Sequence, residues 1–174
     1  MSISPYPRRA LGTPVPLDPR PMSASHTVIS QVMLPNDANP MGNVHGGSIM
    51  KMADVATAVA AMRHCGRQVV TVALDHMDFN EPAYIGDLIT ITSQVEYAGR
   101  TSMVVHATVE AENPTNGKKV LTSSCYFTFV ALNDEGRPIP VPPVLAETPE
   151  EKVRMENALR VYQHTKEERA RGGS

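Results

Sequence analysis

The sequence predicts an α+β fold in which one long helix packs against a long antiparallel β-sheet. Residues 48–64 form a helix that is apolar nearly all round, which indicates burial on most of its sides. A strand-like segment precedes this helix, and four β-rich segments joined by short turn-like stretches follow it. One helix and five such strands are typical of a sheet that packs one face on a helix.

The elements follow one another with clear signals at their ends. The first strand is predicted over residues 26–34, and a loop over 35–47 leads into the helix. Arg63 and His64 suit the negative end of the helix dipole, and Gly66 is a plausible cap. The later strands are predicted over residues 68–79, 87–97, 101–111 and 120–132.

The chain divides into three parts. Residues 1–25 are rich in proline and predict a flexible arm, whereas residues 26–137 hold the predicted domain. Residues 138–174 begin with the proline-rich stretch PIPVPP and continue as a charged surface helix over 147–171. Thr148 and Glu151 form a capping box at its start, and its sparse apolar docking points are Val153, Leu159 and Tyr162.

Composition excludes several classes of function. The net charge of −2 gives no sign of a nucleic-acid surface, and no apolar run is long enough for a membrane span. The two cysteines, Cys65 and Cys125, show no metal-binding spacing, so we expect no metal site. Two thiols fit a reducing compartment, and we expect a cytoplasmic protein.

The loop and the helix that follows it contain the best candidate for chemistry. Asp54 lies inside the apolar helix, where a carboxylate is costly unless it has a partner or a task. His45, Gly46 and Gly47 stand at the helix start, where glycines expose N–H groups that are suited to an oxyanion hole. A structural carboxylate and a tight loop-to-helix junction are the ordinary alternatives.

Helix geometry separates these two features. Gly46 and Asp54 are eight positions apart, which is roughly 12 Å along one helix. Groups that act on one carbonyl must lie about 3 Å from it. If both are catalytic, they come from two copies of the chain whose helices lie antiparallel, so the motif predicts a homodimer.

Two further segments hold candidate groups. Asn39, in the same loop as Gly46, is suited to donate to a carbonyl oxygen or to orient a water, although Asn is also a common turn residue. The turn formed by Arg100, Thr101 and Ser102 offers a cation and two hydroxyls to a phosphate, although a solvated turn is the default. A serine hydrolase is disfavoured because the chain has no G-x-S-x-G motif.

These residues belong to a recognisable signature. The segment PNDANPMGNVHGGSIMKMAD at 35–54 resembles the hotdog-fold acyl-CoA thioesterases, in the branch of the cytosolic (brain-type) acyl-CoA hydrolases and bacterial YciA. The resemblance continues through RHC at 63–65, GRTSM at 99–103 and FTFVALNDEGRPIPVPP at 127–143. It implies a hotdog fold, in which a long antiparallel sheet wraps around a central helix, and hydrolysis of acyl-CoA to free fatty acid and CoA.

The resemblance also assigns roles and partners. Asp54 matches the helix carboxylate that acts as nucleophile or general base, and Asn39 matches the loop amide used with it. With these roles we expect His45, Gly46 and Gly47 to polarise the carbonyl, and Arg100 with Thr101 and Ser102 is our candidate for the CoA phosphates. The family implies homodimers as the minimal unit and trimers of dimers, with CoA as part of the substrate rather than a cofactor.

Two alternatives remain open at this stage. A hotdog 3-hydroxyacyl thioester dehydratase pairs a histidine with an acid, as His45 and Asp54 would. A non-catalytic acyl-CoA binding protein would keep the pocket without turnover, although the presence of both Asn39 and Asp54 counts against it.

Overall fold

A computed structural model describes residues 16–172. The strands are β1 (Arg20–Pro21), β2 (Thr27–Val32), β3 (Gln68–Phe79), β4 (Leu88–Ala98), β5 (Ser102–Asn113), β6 (Lys118–Leu132) and β7 (Val144–Leu145). The helices are α1 (Gly46–Cys65) and α2 (Pro149–Gly172), with short 3-10 turns at Met22–Ser25 and Pro35–Asp37. The predicted α+β class and the order of its elements are confirmed.

Five strands form one antiparallel sheet in the order β2-β4-β5-β6-β3. Alternate residues of β4 are buried on the α1 side, as the period of two predicts: Ile89, Ile91, Ser93 and Val95. The alternation breaks at a register shift between Val95 and Tyr97, which leaves Glu96 buried as well. β3 lies at one edge of the sheet and contains two register shifts.

Helix α1 ends at the cap predicted from the sequence, but it begins at a cap that the sequence analysis did not assign. The Nδ1 atom of His45 accepts a hydrogen bond from the Gly47 N–H at 3.1 Å and caps the first turn. Gly66 closes the helix with φ 63°, and its N–H donates to the Met62 carbonyl. The helix therefore covers two more residues at its start than the predicted 48–64, and one more at its end.

One face of α1 is not covered by its own chain. The side chains of Met50, Val55 and Met62 are 38%, 48% and 40% exposed, although the sequence predicts burial on most sides. Met50, Asp54 and Met62 lie on one row of residues spaced by multiples of four, and Val55 and the exposed Lys51 lie beside this row. A single chain thus buries the sheet side of α1 and leaves an apolar stripe that carries the carboxylate.

The two ends of the domain are tied together. Residues 20–25, which the sequence places in the flexible arm, form β1 and a 3-10 turn instead, and β1 pairs in parallel with β7. Met22 is fully buried, and the Ser25 hydroxyl accepts from the Val95 N–H at 2.9 Å. Residues 1–15 of the predicted arm lie outside the described part of the chain.

The proline-rich stretch at 138–143 also packs on the domain, because Val141 donates its N–H to the Arg100 carbonyl.

Helix α2 covers the face of the sheet opposite α1. The predicted capping box is present: the Glu151 N–H donates to the Thr148 hydroxyl, and the Thr148 N–H donates to the Glu151 carboxylate. Tyr162 packs on Tyr97 with the ring centroids 5.1 Å apart. Val153, predicted to dock, is exposed, whereas the buried contacts of the helix are Ala158 and Thr165.

Neither helix is long and apolar enough to cross a membrane, within the described residues. Over the same residues, no group of three or more His, Cys, Asp or Glu side chains is placed to hold a metal ion.

Candidate active site

The loop before α1 is built around the Asn39 side chain. Its Oδ1 accepts the N–H groups of Met41 and Asn43 at 2.9 and 3.1 Å. The backbone of Asn39 also donates to the Asn43 carbonyl, and Gly42 completes the turn with φ 83°. Both side-chain bonds fall on Oδ1, so across residues 16–172 the Nδ2 donors of Asn39 remain available to a ligand.

The loop is also fixed to the rest of the domain. Asp37 accepts the Leu34 N–H through Oδ2 at 3.0 Å and the His45 N–H through its carbonyl at 2.6 Å. The Val44 N–H donates to the Ala83 carbonyl, which ties the loop to the segment between β3 and β4. Asp37 therefore caps the short 3-10 turn and holds the loop against the start of α1.

Only one of the two glycine N–H groups at the helix start is free. The Gly47 N–H donates to His45 Nδ1, so it is already used within the chain. The Gly46 N–H is the first of the helix and has no acceptor among the described residues. The helix dipole adds positive potential at this point, and Gly46 is therefore the better oxyanion donor of the two.

Asn39 and Gly46 line one cleft of about 400 Å³. Its apolar walls include Ile49 and Phe79, and the Phe79 ring lies so close that a Cβ at Gly46 would stand 3.2 Å from its Cζ. The cleft therefore presents an amide donor and a backbone donor beside apolar surface, which suits a polarised carbonyl with an acyl chain.

Asp54 is not among the residues that line this cleft. It is half-buried on α1, and its Oδ1 accepts a hydrogen bond from the Thr71 hydroxyl at 2.7 Å. The desolvation expected from an apolar helix is thus incomplete in one chain, because the stripe around Asp54 is open. Thr71, on the edge strand β3, is a partner of Asp54 that the sequence reasoning missed, since a threonine in a strand carries no signal of its own.

The His45 side chain is engaged in a hydrogen bond with the backbone at the start of α1. Its Nδ1 accepts from Gly47, and its side chain is exposed at the start of α1. Asp54 lies nine positions further along the helix, roughly 13 Å away. Within one chain the two side chains do not form the histidine–acid pair that a dehydratase would use.

The turn of Arg100, Thr101 and Ser102 lies at the other end of the domain from Gly46. Strand register places Phe79, which contacts Gly46, beside Ser123, and places Ser102 beside Val130. The carbonyls of Arg100 and Thr101 accept the N–H groups of Val141 and Ala131, while Ser102 lines a cleft beneath α2. One chain does not bring this turn to the Asn39 cleft.

His64 and Cys65, two further residues of the signature, are buried in the domain. His64 is fully buried, its Nε2 lies 2.8 Å from the Pro142 carbonyl, and burial lowers its pKa. Cys65 and Cys125 are both buried free thiols, and burial raises the pKa of Cys125 to about 11. A thiol held in its protonated form is a poor nucleophile.

Comparison with known proteins agrees with this geometry. Residues 41–118 match the thioesterase superfamily. The cytosolic acyl coenzyme A thioester hydrolase of Rattus norvegicus is 34% identical over 88% of this chain, although the chain spans only 41% of that relative. The uncharacterized acyl-CoA thioester hydrolase YkhA of Bacillus subtilis is 36% identical, over 73% of this chain and 74% of its own.

Solved structures extend the comparison to the fold. A hexameric acyl-CoA thioesterase superposes with a TM-score of 0.83 and 35% identity, over 88% of this chain and 98% of that one. An acyl-CoA hydrolase from Staphylococcus aureus, solved with butyryl-CoA and CoA, superposes with a TM-score of 0.82 and 35% identity, over 88% and 94%. Variants of that hydrolase, with an asparagine, an aspartate or a threonine replaced by alanine, have also been solved. With its five-stranded sheet around α1, the chain belongs to the thioesterase superfamily and has the hotdog fold.

Proposed function

We propose that this protein hydrolyses acyl-CoA thioesters to the free acid and CoA at a site shared by two copies of the chain. The observation that carries the proposal is the distance, within one chain, between the carbonyl-polarising groups and the carboxylate. Asn39 and Gly46 line one cleft, whereas Asp54 lies about 12 Å further along α1 on a stripe open to solvent.

The open stripe on α1 supports the proposal that a second copy of the chain packs on this surface and completes the site. Three apolar side chains, Met50, Val55 and Met62, flank Asp54 and are partly exposed in one chain. β3 adds an edge strand of 12 residues next to the same stripe, through Thr71. A symmetric pair with antiparallel α1 helices covers both surfaces and brings each Asp54 to the helix start of its partner.

The sequence relatives support the assignment of residues. In the Staphylococcus aureus hydrolase the replaced asparagine, aspartate and threonine are separated by fifteen and seventeen positions. Asn39, Asp54 and Thr71 have the same separations here. Hexamers among the related thioesterases support trimers of such dimers as the assembly, and the cytosolic relatives support a cytoplasmic location.

The residues then have distinct tasks. The Gly46 N–H and the Asn39 amide donate to the thioester oxygen, where negative charge develops as the carbonyl is attacked. Asp54 of the other copy attacks the carbonyl or removes a proton from the attacking water. Thr71 holds one oxygen of that carboxylate. In the antiparallel pair, the CoA phosphates contact a turn of the copy that supplies Asp54. This turn consists of Arg100, Thr101 and Ser102. No bound cofactor is required, because CoA belongs to the substrate.

Complementation tests the proposal directly. Free-thiol release is measured with a panel of short to long acyl-CoAs for Asn39→Ala, Asp54→Asn and a coexpressed mixture of the two. Each variant alone is expected to lose about 10²- to 10⁴-fold in kcat. The random mixture is expected to recover about a quarter of wild-type activity, since half of the dimers are mixed and each mixed dimer has one intact site.

The possible results separate the alternatives. A mixture as inactive as its components would contradict the shared site and place Asn39 and Asp54 of one chain together. Dehydration of a 3-hydroxyacyl-CoA without thiol release would favour the dehydratase. Binding of acyl-CoA without either reaction would favour a non-catalytic binding protein.

A further inference from the structure

An unusual backbone conformation marks the edge strand β3 close to the Asn39 cleft. His76 has φ 45°, and among residues 16–172 it is the only residue other than glycine in the left-handed region. Side chains with a Cβ are disfavoured there, and such residues persist where the surrounding fold holds them. We propose that His76 is a positioning residue, because its bulge turns Phe79 towards Gly46 and so shapes the cleft. The proposal rests on the proposed function only in that this cleft binds the acyl-CoA.

The bulge is visible in the pairing of β3 with β6. Asp75 pairs with Tyr126 and Asp78 pairs with Ser124, so three steps along β3 match two steps along β6. One extra residue of β3 therefore lies between these two pairs, in the segment that contains the left-handed His76. A bulge of this kind changes which side chains of a strand face one side of the sheet.

The change of face is needed because β3 has an earlier register shift. That shift puts Leu74 on the α1 side of the sheet, opposite the core residue Phe127. Regular alternation from Leu74 would carry Asp78 to the α1 side as well, and Phe79 would point to the other side. The bulge at His76 reverses this assignment.

The contacts that follow the bulge agree with this register. Phe79 pairs with Ser123, and its ring lies over Gly46, where an added Cβ would be 3.2 Å from Cζ. His76 Nε2 lies 2.8 Å from Oδ2 of Asp78, so a hydrogen bond spans the bulge. Both side chains of this pair are largely exposed, and such pairs add little stability. The backbone conformation of His76, more than the ion pair, therefore sets the direction of Phe79.

Fluorine NMR on the full chain tests the position of the Phe79 ring without an activity assay. The chain has three phenylalanines, so 4-fluorophenylalanine gives three signals, and Phe79→Leu identifies the one that belongs to Phe79. His76→Val, whose branched side chain strongly disfavours the left-handed region, should move the Phe79 signal and leave those of Phe127 and Phe129 in place. His76→Gly adopts that region freely and should keep all three signals.

Two further variants complete the series. Gln68→Val is the matched control, because it adds the same side chain at an exposed, regularly paired position of β3 and should move none of the signals. His76→Ala has a smaller penalty in the left-handed region and should move the Phe79 signal partway, so the comparison stands even if the valine variant does not fold. A Phe79 signal that stays in place in every folded variant would overturn the proposal.

Kinetics connect the position of the ring with substrate binding. Thiol release from acyl-CoA by His76→Val should show kcat/KM lowered about tenfold or more, mainly through KM, because Phe79 lines the cleft. His76→Gly should restore it. An unchanged KM in a variant whose Phe79 signal has moved would overturn the role of His76 in shaping the cleft. A wild type that releases no thiol would contradict the proposed function, whereas the NMR result would still decide whether His76 directs Phe79.

Discussion

The hydroxyl of Thr71 donates a 2.7 Å hydrogen bond to Oδ1 of Asp54, joining the edge strand β3 to the middle of α1. The bond fixes one carboxylate oxygen and leaves Oδ2 for chemistry. Hydrogen bonds to charged groups are stronger than neutral ones, and they hold a side chain in one orientation. In the proposed site this bond sets where the reacting oxygen of Asp54 stands.

Replacement of Thr71 by valine should lower kcat about 10- to 100-fold, because a carboxylate loses one charge-assisted bond and its fixed orientation. KM should change much less, since Thr71 does not line the Asn39 cleft. Thr71→Ser keeps the hydroxyl and serves as the control, with kcat near that of the wild type. Steady-state thiol release with one acyl-CoA measures both constants. Equal kcat in the valine and serine variants would remove Thr71 from the mechanism.

A methyl group at Gly46 should close the Asn39 cleft. An added Cβ would lie 3.2 Å from Cζ of Phe79, which is closer than most real contacts. Gly46→Ala is therefore expected to lower kcat/KM about tenfold or more through displacement of the ring or the helix start.

The second variant in this test is Phe79→Leu, which removes the ring edge that the methyl meets. In the double variant Gly46→Ala with Phe79→Leu, kcat/KM should return towards the value of Phe79→Leu alone. Kinetics of all four proteins give the coupling between the two positions. Additive losses would mean that the Gly46 backbone, and not the contact with Phe79, causes the defect.

Much of this architecture follows from local pattern. The cap Gly66, the apolar pattern of the helix and the alternation in the strands predict α1 and the sheet to within a few residues. The signature loop also predicts Asn39 and Asp54 as candidates. Their separation along α1 follows from helix geometry alone.

The missed features depend on contacts between distant segments. Thr71 meets Asp54 only because β3 lies beside α1, and residues 20–25 are ordered by pairing with β7. By alternation Glu96 belongs to the face of β4 that points away from α1. A register shift and the covering helix α2 nevertheless bury it. None of these has a periodicity or turn signal in its own neighbourhood.

Removal of Arg154 should destabilise the domain, because Glu96 is 1% exposed and its carboxylate has no hydrogen bond within residues 16–172. Arg154 lies 3.7 Å and His106 lies 3.4 Å from Oε1 of that carboxylate. Arg154→Met should cost about 1–3 kcal/mol, less than for a fully buried pair since Arg154 is partly exposed.

Neutralisation of the acid tests the cause. Glu96→Gln in the Arg154→Met background should recover part of the loss, because the buried charge is gone. Urea unfolding at one fixed protein concentration gives the four free energies of the cycle. An equal loss with and without Glu96 would attribute the effect of Arg154 to packing of α2.

The buried His64 should make the free energy of unfolding depend on pH below neutrality. Burial is the main cause that lowers its pKa below the usual 6.5, and the Arg20 charge adds to the effect, while the bond to the Pro142 carbonyl opposes it. As the pH falls below about 6.5, the unfolded chain takes up the proton first. The folded state therefore loses stability relative to the unfolded state down to the folded pKa, and it gains nothing further above 6.5.

His64→Gln, which has no proton to bind in this range, should flatten that dependence between pH 5 and 7, although it lowers stability overall. His26→Gln, which removes an exposed histidine and keeps His64, is the matched control variant. Urea unfolding at several pH values measures the slopes, and equal slopes for His64→Gln and the wild type would exclude His64 as the titrating group.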